Sequence, residues 1–276
     1  MRSDNNQVLP LLIAQISDLH VKREGELSCG VVDTPAMLRR CIAHMLASPQ
    51  RPDLLLVTGD LVDSASPLEY ATLRRLLAPL AVPAYFIPGN HDDRHALRRE
   101  FADQPWLRQW EPYIQYAIDD WPLRIVALDT VIPGEDGGRL CHERLAWLEA
   151  TLAAAPHKPT LVMMHHPPFR TWIAGMDRHG LESPELFAAV IARHAQVERI
   201  VCGHIHRCIE ARIGSVPVSV CPSPAHQIAL DMAPGAHASF VMEPPAYQLH
   251  LWSPAHGLVS HTVPIGEFAG PYSFDD

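Results

Sequence analysis

The chain has no C-x-x-C pair, no apolar run long enough to cross a bilayer, no basic surplus, no internal repeat and no low-complexity tract. Each absence closes a class of function. Six cysteines, at 29, 41, 141, 202, 208 and 221, show no paired spacing. They read as small hydrophobes of a reducing compartment, with the cytoplasm as the expected location, rather than as a disulfide framework or a thiolate zinc site. Basic residues number 22 against 31 acidic ones, for a net charge of -9. Without a basic face to release counterions, a nucleic-acid polymer or an anionic membrane is not an expected partner. A small phosphate anion still is, where metal ions supply the local positive charge. Segment 1–7 is polar, and the apolar run after it is broken by Gln15 and Asp18. It reads as a strand, not as a leader or a span.

What is present is an alternation of strand and helix patterns. Apolar runs at 11–16, 54–57, 82–87, 124–128, 160–164 and 199–202 predict strands. Between them lie helix starts with proline at the first position. Thr34-Pro35 opens a helix whose face carries Met37, Leu38, Cys41, Ile42, Met45 and Leu46. Ser66-Pro67-Leu68-Glu69 forms a capping box, and Ser183-Pro184-Glu185 opens a third helix. Residues 143–152 carry Leu145, Leu148 and Leu152 on one helical side, and 94–112, rich in Trp and Arg, reads as helix plus loop. Strands separated by helices imply βαβ units, an α/β fold and a largely parallel sheet. After Gly203 helical periodicity fades and prolines become dense. Residues 247–252 and 258–265 predict a hairpin in a β-rich tail that covers the site or joins subunits.

Five short motifs follow strands: Asp18-Leu19-His20, Gly59-Asp60, Gly89-Asn90-His91-Asp92, His165-His166 and Gly203-His204-Ile205-His206. In open α/β sheets ligands bind beyond the carboxyl ends of the strands, so the five motifs are expected to converge. Asp18 and His20, like His204 and His206, are two apart and would face one way in extended backbone. Glycines 59, 89 and 203 allow sharp exits from their strands. Oxygen and imidazole donors suit divalent zinc, manganese, iron or cobalt, and the set is large enough for two ions with open positions. One carboxylate between two ions would bridge them.

The ordered set resembles the calcineurin-like metallophosphoesterase family over roughly residues 11–210. The stretches at 59–63, 87–93 and 164–168 are most similar to its bacterial glycerophosphodiester phosphodiesterases and class III cyclic-nucleotide phosphodiesterases. The closing Ala269-Gly270-Pro271 is similar to the glycerophosphodiesterase group. The resemblance implies a four-layer αββα sandwich of two mixed sheets, with a catalytic domain at 1–214 and a β-rich cap or oligomerisation region at 215–276. It implies that Asp18, His20 and His206 hold one metal, that Asn90, His165 and His204 hold the other, and that Asp60 bridges. His91 would stand outside both coordination shells as the catalytic residue beside phosphate and leaving group. The expected reaction is hydrolysis of a small phosphodiester by a metal-bound hydroxide, with glycerophosphodiesters ahead of 3',5'-cyclic nucleotides, in a homo-oligomer of two or more subunits. A phosphomonoesterase or a non-catalytic scaffold is a weaker expectation. Phosphoprotein phosphatases of the family carry Arg where this chain has Ser64, which counts against that substrate class.

Other candidates have plainer readings. His166 should point to the other side of its strand and be structural, and Asp93 reads as a helix cap. Asp63 and Asp92 are candidates to orient ligand histidines. His226, in a proline-rich loop, is a secondary candidate for the pocket wall, and Asp129 reads as a loop residue. Arg94, Arg98 and Arg99 read as exposed helix charges. Trp106, Trp110, Trp172 and Phe169 could form a slot for a nucleobase or pack a lid.

Overall fold

The computed structural model describes residues 10–274, so the polar segment 1–7 lies outside the described residues. In chain order the elements are β1 (Leu11–Ile16), α1 (Thr34–Ala47), β2 (Leu54–Thr58), α2 (Pro67–Leu77), β3 (Ala84–Ile87), α3 (Arg94–Glu100), β4 (Tyr116–Ile118), β5 (Arg124–Ala127) and β6 (Gly138–Arg139). They continue with α4 (His142–Ala153), β7 (Thr160–Met163), α5 (Ala174–Asp177), β8 (Leu181–Glu182), α6 (Pro184–Ile191), β9 (Val197–Cys202), β10 (Ile209–Ile213), β11 (Val216–Val220), β12 (Gln227–Ile228), β13 (Phe240–Val241), β14 (Ala246–Ser253) and β15 (Gly257–Pro264).

Two mixed sheets form the centre, one ordered β15-β14-β1-β2-β3 and the other β10-β11-β9-β7-β5-β4. Strand alternation assigns the layers. On the second sheet, Ile125, Ala127, Leu161, Met163 and Val201 join the core shared with the first sheet and with α1, α2 and α3. Their neighbours Val126, Leu128, Val162, Met164, Ile200 and Cys202 pack instead against α4 and α6. Successive side chains point to opposite faces, so apolar residues on both faces require cover on both. The result is the expected helix–sheet–sheet–helix sandwich.

The expected hairpin forms as β14 and β15, and β14 runs antiparallel to β1 inside the first sheet. Of the tail, β11 joins the second sheet beside β9, while β12 and β13 pair only with each other. α1 is capped by Asp33, whose carboxylate accepts from the Ala36 amide, and not by Thr34. The Thr34 hydroxyl donates to the His20 carbonyl at 2.7 Å and accepts from the Lys22 amide at 3.2 Å. Thr34 thus supports the first motif and is unavailable as a cap. Ser66 forms the expected capping box with Glu69, and Asp93 caps α3 through the Ala96 amide.

Two sequence expectations are corrected here. Arg94 and Arg98 are not exposed helix charges. Arg98 donates to the carbonyls of Leu107, Pro112 and Tyr113. Arg94 makes a two-pronged contact with Asp129 at 2.6 and 2.8 Å. Asp129 is fully buried and also accepts from the Ile114 and Val131 amides. A buried carboxylate needs such company, and these contacts pin segment 101–114 to the second sheet.

Gln15 ties the two sheets together. Its amide group donates to Thr58 Oγ1 and the Cys202 carbonyl, so its oxygen accepts from His250 Nε2–H at 3.0 Å. His250 Nδ1 then accepts from Ser260 at 2.7 Å. Burial first, and the Arg199 charge second, push His250 down to about 3. A histidine buried neutral adds stability above its unfolded pKa of about 6.5, and that stability is lost as pH falls from there toward 3. Urea unfolding at pH 7 and at pH 4.5 should therefore show a pH-dependent loss about 2 kcal/mol larger in the native protein than in His250→Gln. Equal losses in both proteins would refute this account.

Candidate metal centre

The five motifs meet at one end of the two sheets. One group comprises Asp18, His20, Asp60 and His206, all buried, with donor atoms within 4.8 Å of one another. Asp60 Oδ2 lies 3.5 Å from His20 Nε2 and 3.4 Å from His165 Nε2. Asn90 Oδ1 lies 3.2 Å from the same His165 nitrogen. His206 Nε2 is 3.6 Å from Asp18 Oδ1 and 3.1 Å from His20 Nε2. The His204 ring packs against His165 with centroids 5.2 Å apart. One Asp60 oxygen thus stands between the side chains of the first and last motifs and those of the third and fourth.

The backbone that delivers these residues is not extended. Asp18, His20, Asp60, His204 and His206 have φ of 56°, 44°, 48°, 72° and 50°. Convergence comes from left-handed turns at the strand ends, not from the two-residue repeat of an extended chain. The glycines act mainly by making room. A Cβ on Gly89 would lie 2.2 Å from Asp60 Oδ1, and one on Gly203 would lie 2.0 Å from Ser17 Oγ.

Tautomers follow from the partners. His165, His206 and His91 each place Nδ1 on a backbone carbonyl, of Thr58, His226 and Asp63, at 2.8, 3.1 and 2.8 Å. A carbonyl only accepts, so Nδ1 carries a proton and Nε2 is the ring nitrogen turned inward, free to offer a lone pair to a cation once any proton on it has left. The 3.1 Å approach of His20 and His206 Nε2 is repulsive unless a proton or cation lies between them. Asp18 Oδ2 and His204 Nε2 are buried without a hydrogen-bond partner. Convergent lone pairs and orphaned buried donors fit a cation centre, and nitrogen-plus-carboxylate chemistry suits a borderline divalent ion.

The electrostatics agree. Burial pushes Asp18 up to about 6, with Asp60 adding to the rise. Burial acts against the Asp60 charge too, yet His165, His20 and His91 hold that carboxyl well below the usual range. His165 rises to about 9 because Asp60 and Asp18 outweigh burial. Burial, aided by the His165 charge, depresses His204 to about 3. Loading the centre near neutral pH must therefore displace the His165 proton.

His166 is expected on the far side of its strand, but its buried ring lies against His165 and His204, within reach of a shared ion, and its two nitrogens are engaged elsewhere. Its Nε2 donates to the Asp136 carbonyl, which leaves Nδ1 to accept from Thr130 at 2.8 Å. Asp92 is buried, accepts from the Gly89 and Leu61 amides and from Tyr70, and so sets the third motif against the second. Asp63 Oδ1 faces His20 Nδ1 at 3.5 Å. His226 lies nearer the centre than its loop position suggested. It is buried beside His206 with an unpartnered Nδ1, and it lines the cavity.

The cavity above the cluster has a volume of ≈ 330 Å³. Beyond the motif residues its wall includes Ser28, Cys29, Met176, Ile228, Ser239 and Phe240. None of Trp106, Trp110, Trp172 and Phe169 lines it. Trp106 packs on Tyr85, Trp110 on Tyr113 and Trp147, Arg170 lies over the Trp172 ring, and Phe169 borders a separate cavity. Periodicity could not show that Phe240, on a two-residue strand, supplies the aromatic wall.

The chain is 40% identical to "Probable glycerophosphodiester phosphodiesterase GpdQ" of Arcobacter nitrofigilis, over 96% of this chain and 97% of that one. It is 31% identical to the 3',5'-cyclic adenosine monophosphate phosphodiesterase CpdA of Pseudomonas aeruginosa, over 79% and 78%. Its fold matches a dimetal phosphatase of Danio rerio with a TM-score of 0.65 at 18% identity, over 93% of this chain and all of that one. Residues 11–208 match the family model described as calcineurin-like phosphoesterase, and the chain belongs to that family.

Proposed function

We propose that the protein hydrolyses small phosphodiesters at a two-metal centre, with glycerophosphodiesters as its preferred substrates. The observation that carries this reading is Asp60 Oδ2, within 3.5 Å of His20 on one side and 3.4 Å of His165 on the other. Asp18, His20 and His206 would hold one divalent ion and Asn90, His165 and His204 the other, with Asp60 between them. When bound, a pair of iron, manganese, zinc or cobalt ions supplies an activated water and charge neutralisation at phosphorus. Asn90 contributes no charge, so its site is the looser of the two.

The chain's own residues orient and protonate. His91 gives Nδ1–H to the Asp63 carbonyl, which leaves Nε2 facing the cavity. As the imidazolium, with a second proton on Nε2, it stabilises charge on the phosphoryl oxygens and passes that proton to the departing alkoxide, ending neutral with Nδ1–H still on the Asp63 carbonyl. The His91 amide donates to Asp60 Oδ1 at 2.9 Å, which fixes this residue relative to the bridging carboxylate. The hydroxyls of Ser28 and Ser239 suit a glycerol headgroup, and the small cavity offers one aromatic ring rather than a two-sided slot for a base. The cyclic-nucleotide reading rests on the apolar wall of Met176, Ile228 and Phe240.

We read residues 1–214 as the catalytic unit and 215–276, which also completes both sheets through β11, β14 and β15, as the part that covers the cavity and joins subunits. Ile228 and Phe240 line the cavity, and β15 ends the first sheet with an uncharged eight-residue edge that suits a homo-oligomer. Six free cysteines support a reducing cytoplasm. Among the described residues no helix is long and apolar enough to cross a membrane.

With manganese, cobalt or zinc supplied, kcat/KM should rank glycerophosphoethanolamine above cyclic AMP, and an aryl phosphodiester above the aryl phosphomonoester. EDTA should abolish all four activities. Cyclic AMP turned over faster than glycerophosphoethanolamine would transfer the assignment to the cyclic-nucleotide reading. Turnover surviving chelation would end both.

A further inference from the structure

Lys22 belongs to none of the five motifs, yet its side chain reaches from the first motif's loop to the second's. Its Nζ lies 2.7 Å from Asp63 Oδ2 and 3.6 Å from Glu69 Oε1, and donates to Ser64 Oγ at 2.9 Å. Glu69 cannot drift, because its other oxygen accepts from the Ser64 and Ser66 amides in the capping box. Lys22 and Asp63 are mostly buried, with side chains 18% and 19% exposed.

The ion pair is not what holds the two loops together. The backbone does that already, through Asp18 N–H to Gly59 O, His20 N–H to Asp60 O and Val21 N–H to Leu61 O. Thr34 adds its own bonds to the His20 carbonyl and the Lys22 amide. What Lys22 fixes is the rotamer of Asp63. With Oδ2 on the ammonium, Oδ1 is left between Ser28 Oγ at 2.9 Å and His20 Nδ1 at 3.5 Å.

His20 differs here from His165 and His206, whose Nδ1 atoms face backbone carbonyls. A carboxylate behind a ligating imidazole makes the ring a stronger donor and fixes its plane. We propose that Lys22 and Asp63 are positioning residues for His20, and that together they set the affinity of one of the two metal sites, the one built on Asp18, His20 and His206. The inference rests on the two-metal reading and assigns to this pair an effect confined to one ion.

The test is manganese binding to the metal-stripped full-length protein, measured by calorimetry without substrate, with cobalt absorption as a second readout of the ligand field. Native protein should show a tighter and a looser event. Lys22→Met should weaken the tighter one about tenfold, and Asp63→Asn about 10–100-fold, with the looser one unmoved and the tighter site's cobalt bands shifted. Thermal unfolding of each stripped variant monitors folding. Both constants unchanged in both variants would overturn the proposal. So would both constants falling together with a lower unfolding temperature, since that describes a clamp on the loops. Native protein that takes up no manganese would overturn the two-metal reading itself, an outcome distinct from either.

Discussion

Asp60→Ala is expected to lose about 10³-fold or more in kcat/KM, a barrier increase of about 4 kcal/mol, and to purify with fewer than two metal equivalents. Two losses combine in that number. The side chain contributes the oxygen that His20 and His165 share. Its second oxygen accepts the His91 amide, so truncation also releases the segment that carries Asn90 and His91. Asp60→Asn separates the two, because the amide oxygen can keep the contact with His91 while the negative charge between the ions is gone. Metal analysis beside steady-state kinetics reads both. Full turnover with two equivalents bound in Asp60→Ala would remove the basis of the assignment.

His91→Ala should retain its metals and lose about 10²–10⁴-fold in kcat. The loss should be larger for an alkyl diester, whose alkoxide must be protonated as it departs, than for an aryl diester, whose phenolate leaves unaided. That contrast distinguishes a proton donor from a residue that only adds charge near phosphate, which would lower both rates alike. Unchanged turnover of the alkyl ester would assign proton transfer elsewhere.

Much of this site was legible because its residues sit where strands stop. Strand ends can be read from apolar runs, and the residues immediately after them are aimed at one place by the sheet. What stayed hidden needs partners distant in sequence. Asp129 can be buried because Arg94 and the Ile114 amide satisfy its oxygens, and no local pattern announces that. The short alternating runs at 247–252 and 258–265 predict a hairpin but not its neighbour, and β14 found β1 some 240 residues upstream. β4, three residues long, has too little sequence to carry a period. The tryptophans were visible as residues but not as positions, since packing alone keeps Trp106, Trp110 and Trp172 out of the cavity wall. Left-handed backbone at the ligands was also unreadable, because Asp and His tolerate that conformation without requiring it.

That last feature has a price in durability. Five of the proposed ligand residues hold φ between 44° and 72°, and such backbone disfavours any side chain with a Cβ by roughly 1–2 kcal/mol per position. A lineage or a laboratory screen that rewards heat resistance alone should therefore drift toward glycine at 20, 204 and 206, which, unlike Asp18 and Asp60, hold no neighbouring amide with a side-chain oxygen, and give up the chemistry in doing so. Thermostabilisation of this molecule is safer when steered to the outer helices, far from the residues it would be easiest to relax.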